Sequence, residues 1–200
     1  MQPQKILAAF REKGYTATFF ETKEEAVAYL TATLKGCRIG FGGSATLDEL
    51  GLYDALSKEN DVFWHWKPRD GKTPTELRKI AADCPVYFSS ANALTEDGKI
   101  VNVDGTANRV AALLYGKEKV FYVCGKNKLC KTEEDAVFRA RNVSAPINTA
   151  RLGLDTPCAK SGRCHDCKSP ARICRALSIL WEKPTGQDAE IVLIGEDLGF

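Results

Sequence analysis

The sequence predicts a three-layer α/β/α fold built on a mainly parallel sheet. Apolar, strand-like runs at 37–41, 61–66, 85–90 and 119–124 alternate with helical stretches, at a spacing of roughly 25–35 residues that suits strand–helix–strand units. Small and polar residues close three of those runs: Gly42-Gly43-Ser44, Ser90-Ala91-Asn92 and Gly125-Lys126-Asn127. Parallel sheets gather their ligands at the carboxyl ends of strands, so these exits mark one candidate edge.

Each element has a local reason. Residues 4–13 and 23–34 place Ile6, Leu7 and Phe10, then Ala26, Val27, Leu30 and Leu34, at helical spacing. Thr22-Lys23-Glu24-Glu25 gives the second helix a capping-box start. Ala17–Phe20 reads as a short strand between them, and this N-terminal segment is expected to flank the core. After the strand at 37–41 comes a glycine-rich loop, Gly42 to Thr46, and a helical run over 47–56. Pro74 opens a helix over 74–83, since proline suits the first turn. Further helices are expected at 106–115 and 132–142, the latter begun by Thr132 and three acids. Two strands, 173–181 and 189–194, joined by Pro184–Asp188, close the reading.

With 200 residues, the chain suits a single domain over 1–200 with a cysteine-rich loop at 158–174. Hydrophobic content of 44% and charged content of 27% are those of an ordinary globular protein. A net charge of +2 gives no argument for nucleic acid or membrane partners, and no run approaches the ~18 apolar residues of a membrane span. The first residues carry no apolar signal core, so the expected compartment is the cytoplasm.

The candidate site centres on Ser89 to Arg109. A strand runs out at Ser89-Ser90, the chain turns at Glu96-Asp97-Gly98-Lys99, and a short strand, Ile100–Val103, leads through Asp104-Gly105-Thr106 into a helix. Small anionic ligands suit such loops. The expected ligand-binding set is Gly42, Gly43, Ser44, Thr46, Asn92, Gly105, Thr106, Asn108, Arg109, Lys126, Asn127 and Lys128. Arg109, Lys126 and Lys128 would neutralise a carboxylate or phosphate. Asp97 and Asp104 are the candidate acid–base groups. The Gly42–Thr46 loop is neither a Walker loop nor a dinucleotide fingerprint. His65, flanked by Trp64 and Trp66 on a strand, reads as structural.

Four of the eight cysteines crowd together as Cys158-x5-Cys164-x2-Cys167-x6-Cys174. With no secretory signal, metal or redox chemistry explains them better than disulfides. Four thiolates this close suit a [4Fe–4S] cluster or, alternatively, zinc. Basic neighbours, among them Lys160, Arg163, Lys168, Arg172 and Arg175, would offset the negative charge.

Taken together, Gly40 to Leu47, Ala91 to Arg109, Gly125 to Lys128, Ala145 to Arg151, the cysteine cluster and Leu198-Gly199 resemble the lactate-utilisation, or LUD-domain, family. The resemblance runs from about residue 5 to residue 200. It implies a fold like the isomerase/deaminase/coenzyme A-transferase group and a part in bacterial conversion of lactate to pyruvate, in places beside iron–sulfur subunits. It differs from the isomerase pattern at Asn92, where an amide cannot act as a carboxylate base. The expected partners are a small anionic metabolite and redox subunits or a second copy of the chain. A non-catalytic assembly or sensing subunit with a structural zinc is the alternative.

Overall fold

A computed structural model describes residues 2–200. In chain order the elements are α1 (Pro3–Glu12), β1 (Thr16–Phe20), α2 (Lys23–Thr33), β2 (Arg38–Phe41), α3 (Ala45–Glu49), α4 (Leu52–Leu56), β3 (Asp61–Trp64), α5 (Pro74–Asp83) and β4 (Val86–Ser89). Then follow β5 (Ala93–Thr95), β6 (Ile100–Asp104), α6 (Asn108–Leu114), β7 (Lys119–Gly125), β8 (Leu129–Cys130) and α7 (Glu133–Arg139). The chain ends through α8 (Ala145–Arg151), α9 (Pro157–Ser161), β9 (Ala176–Leu180) and β10 (Asp188–Ile194).

Six strands form an all-parallel sheet in the order β1-β10-β7-β4-β2-β3. Helices cover both faces, as the alternating pattern predicts. Strand side chains alternate between the faces, and here both sets are apolar. Tyr87, Val120 and Tyr122 join α1, α5 and α6 in one core, whereas Phe88, Phe121 and Val123 join α2, α3 and α4 in the other. Phe88 and Phe121 stack at 4.5 Å across neighbouring strands.

A second sheet, β8-β5-β6-β9, rises from the exit of β4. In it β5 and β6 form the hairpin expected at Asp97-Gly98, and β8 joins β5 in parallel. The strands at 93–95 and 129–130 are too short to show in the sequence. A small core of Ala93, Val101, Cys130, Ala136 and Ala140 binds this sheet to α7.

The structure differs from the expected elements in three places. The two C-terminal strands form, the first over Ala176–Leu180 only, and they lie in different sheets. Six consecutive residues of β10 are buried, so it lies inside the large sheet between β1 and β7. By contrast β9 is half-exposed and edges the small sheet against β6. That arrangement also gives β1, expected only to flank the core, a place in the main sheet. The helix expected over 47–56 is two short ones, broken at Gly51, whose φ of 59° lies in the left-handed region. Finally, the helix expected over 132–142 widens after Arg139 into a π turn, Ala140–Ser144, before α8. Pro146 stands in the first turn of α8 and offers no N–H to the preceding turn, which suits a widened stretch there.

Close packing of α5 on β2 needs Gly40. A Cβ there would press into the Ala81 carbonyl, nearer than side chains approach backbone. Gly40→Ala should therefore destabilise the fold by about 1–3 kcal/mol through overpacking, read as a lower urea midpoint. An unchanged midpoint would show that α5 moves away freely.

Candidate functional site

A cavity of about 240 Å³ opens where the carboxyl ends of β2, β3 and β4 face the small sheet and α8. The strand exits supply Gly43, Ser44, Ser90 and Asn92, the end of β6 supplies Asp104, and the loop after it supplies Gly105 and Thr106. Asn108 and Arg109 of α6 and Lys128 also line it. All of these but Ser90 belong to the ligand-binding and acid–base sets expected from the sequence.

Other predicted residues lie outside the cavity lining. Gly42 packs against the Arg109 side chain, where a Cβ would come within 2.9 Å of it. Thr46 is buried behind the wall and donates to the Leu198 carbonyl. Lys126 is exposed and away from the cavity. Asn127 holds the C-terminal segment, donating to the Gly199 carbonyl at 3.2 Å and accepting from the Leu198 N–H. Asp97 sits at the β5–β6 turn, paired with Lys99 at 3.1 Å. Burial acts to raise its pKa, but hydrogen bonds from Thr95 and Lys99 outweigh that and hold its carboxyl below the usual range. Its visible task is turn closure.

Arg109 is the most heavily bonded side chain of the site. One terminal nitrogen donates to the Ser90 carbonyl at 3.0 Å and to Asn102 Oδ1 at 2.6 Å. The other donates to Asn92 Oδ1 at 3.2 Å and the Val103 carbonyl at 2.9 Å. Nε completes the set with Asp104 at 3.3 Å. Four hydrogen bonds and one ion pair therefore commit the guanidinium inside the protein. Asp104 is equally committed, because it also accepts from the Thr106 and Ala107 N–H groups.

Lys128 is the opposite case. Only 3% exposed, it donates to Thr46 Oγ1 and Ser90 Oγ, each at 2.8 Å, and forms no ion pair among the described residues. Burial, reinforced by nearby Arg139 and Arg109, pushes its ammonium down to about 8.

Several lining residues fell outside the predicted set. His65 lies beside Gly43, its buried Nδ1 without a partner among the described residues. Burial and then Arg78 push its imidazole down to about 4, which leaves it neutral at pH 7. Arg78, half-buried on α5, lines the cavity with no ion pair among the described residues. Arg151 of α8 lies over the Trp66 ring at 4.7 Å and near Phe200 at 6.0 Å. Helical spacing identifies α5 as amphipathic but not which polar residue of its face meets a cavity. The segment Ala145 to Arg151 carried a signal, as part of the family resemblance, without pointing to Asn148 and Arg151 as lining residues.

The four clustered cysteines pack behind the same wall. All are free and half-buried. Cys158 Sγ lies 3.4 Å from Thr149 Oγ1 on α8 and 3.3 Å from Thr156 Oγ1. Cys164 accepts from Arg141 at 3.6 Å, and Cys174 accepts from Arg172 at 3.4 Å. Among the described residues no three His, Cys, Asp or Glu side chains converge as a metal requires. In this arrangement Cys158, Cys164 and Cys174 each have a hydroxyl or guanidinium partner at sulfur.

The Arg109 arrangement makes a stability prediction. Arg109→Ala leaves Asp104 and the buried Asn102 without their charged partner, and should cost about 3–5 kcal/mol in urea unfolding. Arg109→Lys should recover little, since an ammonium cannot span five acceptors. Wild-type stability in either variant would rule out the clamp.

The family model for the LUD domain matches residues 4–194. The fold is similar to that in the crystal structure of a DUF162 family protein from Deinococcus radiodurans, with a TM-score of 0.54 at 14% identity. That similarity covers 97% of this chain and 99% of the other. No curated protein matches this chain. With the model matching nearly its whole length, the chain belongs to the LUD-domain family.

Proposed function

We propose that the protein binds a small carboxylate metabolite, of the hydroxy-acid and oxo-acid class, in this cavity and serves bacterial lactate or hydroxy-acid utilisation. The observation that carries the reading is the charge of the lining. Arg78, Arg109, Lys128 and Arg151 face one carboxylate, Asp104, which Arg109 already neutralises. Three cations remain without ion-pair partners among the described residues, in a space suited to a molecule of a few heavy atoms. Such a field attracts and concentrates anions.

Lys128 is costly to keep charged in its buried place, and a bound carboxylate would relieve that cost. Arg78 brings a planar donor set suited to carboxylate recognition. No lining carboxylate is free for acid–base work, which favours binding over carboxylate-based proton transfer. A sensing or assembly subunit would share this pocket without turnover.

Calorimetry with L-lactate and pyruvate tests the reading. Arg78→Ala should weaken binding by roughly tenfold to a hundredfold, the worth of a charge-assisted hydrogen bond of about 1.5–3 kcal/mol. Affinity should also fall as pH rises past about 8, because Lys128 then loses the proton that attracts the anion. Binding untouched by both changes would sink the proposal.

Metal loading of Cys158, Cys164, Cys167 and Cys174 is the second part of the proposal. It is supported by the four-cysteine spacing and by the guanidinium groups on two of the sulfurs, which would offset the negative charge of a thiolate-bound metal. It requires the 158–174 segment to draw its thiols together. Protein purified without oxygen should then carry either iron with acid-labile sulfide or zinc. Iron would favour redox partner subunits, zinc a structural clasp, and neither would reject this part.

A further inference from the structure

We propose that Lys128 forms an imine with the carbonyl group of a small 2-oxo carboxylate held in the cavity. The inference deepens the proposed function and rests on it, since the carboxylate-binding cations must first seat the ligand.

The geometry begins with what Lys128 lacks. It is nearly fully buried yet lines the cavity, and among the described residues it has no carboxylate partner. A lysine in such a place serves the fold poorly, because an apolar chain of similar length would fill the space without a charge to desolvate. Its nitrogen is instead held by two hydroxyls, Thr46 Oγ1 and Ser90 Oγ, both at 2.8 Å. In the neutral amine the two N–H bonds go to those hydroxyls, and the lone pair is left for an electrophile. The charged and titratable groups around it are Arg109 of α6, Arg139 of α7, Glu49 of α3 and Cys124 of β7. Burial and the two arginines together favour the uncharged amine, which is how a nucleophilic lysine is activated.

The step balances without an oxidant or reductant. The amine lone pair attacks the carbonyl carbon, a C–N bond forms, and the carbonyl oxygen takes a proton. Ser90, which lines the cavity and meets the lysine nitrogen, stands within reach to carry protons between nitrogen and that oxygen. Loss of water then gives the imine, so one amine and one ketone yield one imine and one water. The ligand's carboxylate is met by Arg78. The imine draws electrons from the adjoining carbon, which suits proton removal or C–C cleavage there.

A competing use of the same atoms is less well served. Ser90 activated by Lys128 could attack an acyl group, but acyl transfer needs N–H groups around the developing oxyanion. The two N–H groups that follow Ser90 are spent: Ala91 donates to Cys124 Sγ at 3.4 Å and Asn92 to the Val101 carbonyl at 3.1 Å. Ser90 is therefore a proton carrier in this scheme, and Lys128 the nucleophile.

Pyruvate is the probe, being the smallest ketone of the class, and L-lactate is the control with the same carboxylate and no carbonyl. The full-length protein is incubated with pyruvate and cyanoborohydride, digested, and mapped by mass spectrometry, with calorimetry of both ligands in parallel. One reduced adduct should appear on Lys128. L-lactate should suppress it, and Lys128→Arg should abolish it. At saturating pyruvate its rate should rise with pH up to about 8, as the amine loses its proton. Pyruvate that binds by calorimetry but leaves Lys128 unlabelled overturns the imine and leaves the carboxylate site standing. Adducts spread over exposed lysines such as Lys126 and Lys131 overturn it as well. Absence of both binding and adduct removes the two readings together.

Discussion

The guanidinium of Arg109 is the joint on which the site depends. The chain leaves the large sheet at Ser89 and enters the small one at Ala93, and of the intervening residues Asn92 meets strand backbone through its N–H on the Val101 carbonyl. Arg109 grips both ends of the crossing through the Ser90 carbonyl and Asn92, then reaches β6 through Asn102, Val103 and Asp104. Four hydrogen bonds and one ion pair in a half-buried place partner polar groups that would otherwise be stranded. The same bonds exclude Arg109 from direct ligand capture. An arginine at a strand exit resembles an anion receptor in the sequence, but its donors can be used only once.

That division of labour decides where the site's charge is available. Asp104 and Arg109 cancel, which leaves Lys128, Arg78 and Arg151 as the cations able to answer a ligand. Among these the environments differ. Arg151 is exposed and held against aromatic rings, so its contribution is screened by solvent. Lys128 lies in the protein, where burial opposes its charge. Neutral His65 beside the glycine loop adds polarity without adding charge at pH 7.

The cysteine segment and the cavity share a wall. Arg151 and Asn148 of α8 line the cavity, and Thr149 of the same helix meets Cys158. The π turn before α8 behaves alike, with Ala140 and Ser144 at the cavity and Arg141 on Cys164. Beyond the cysteines, Ile173 returns to line the cavity, and the Arg175 N–H bonds the Asp104 carbonyl. Any change that draws the four thiols together would therefore pull on elements that shape the pocket.

The sequence by itself determined the layered α/β fold, the strand-exit edge and most of the loops around the cavity. These are local or periodic properties: apolar runs covered on both faces, a capping box at Thr22, acids after Thr132, and glycine where β2 ends. Pairing was decided only in three dimensions. The buried run of β10 reads like a neighbour of β9, yet its two apolar faces demand a place between β1 and β7. Partner choice likewise separated residues of one type: Arg109 became a clamp and Arg78 a free cation, Asp97 closed a turn and Asp104 paired, Lys126 stayed in solvent and Lys128 went inside. Composition and spacing state which charges a chain carries. Only the tertiary structure decides which are spent on each other, because a charge's chemistry depends on the distance to its partner and the water left around it.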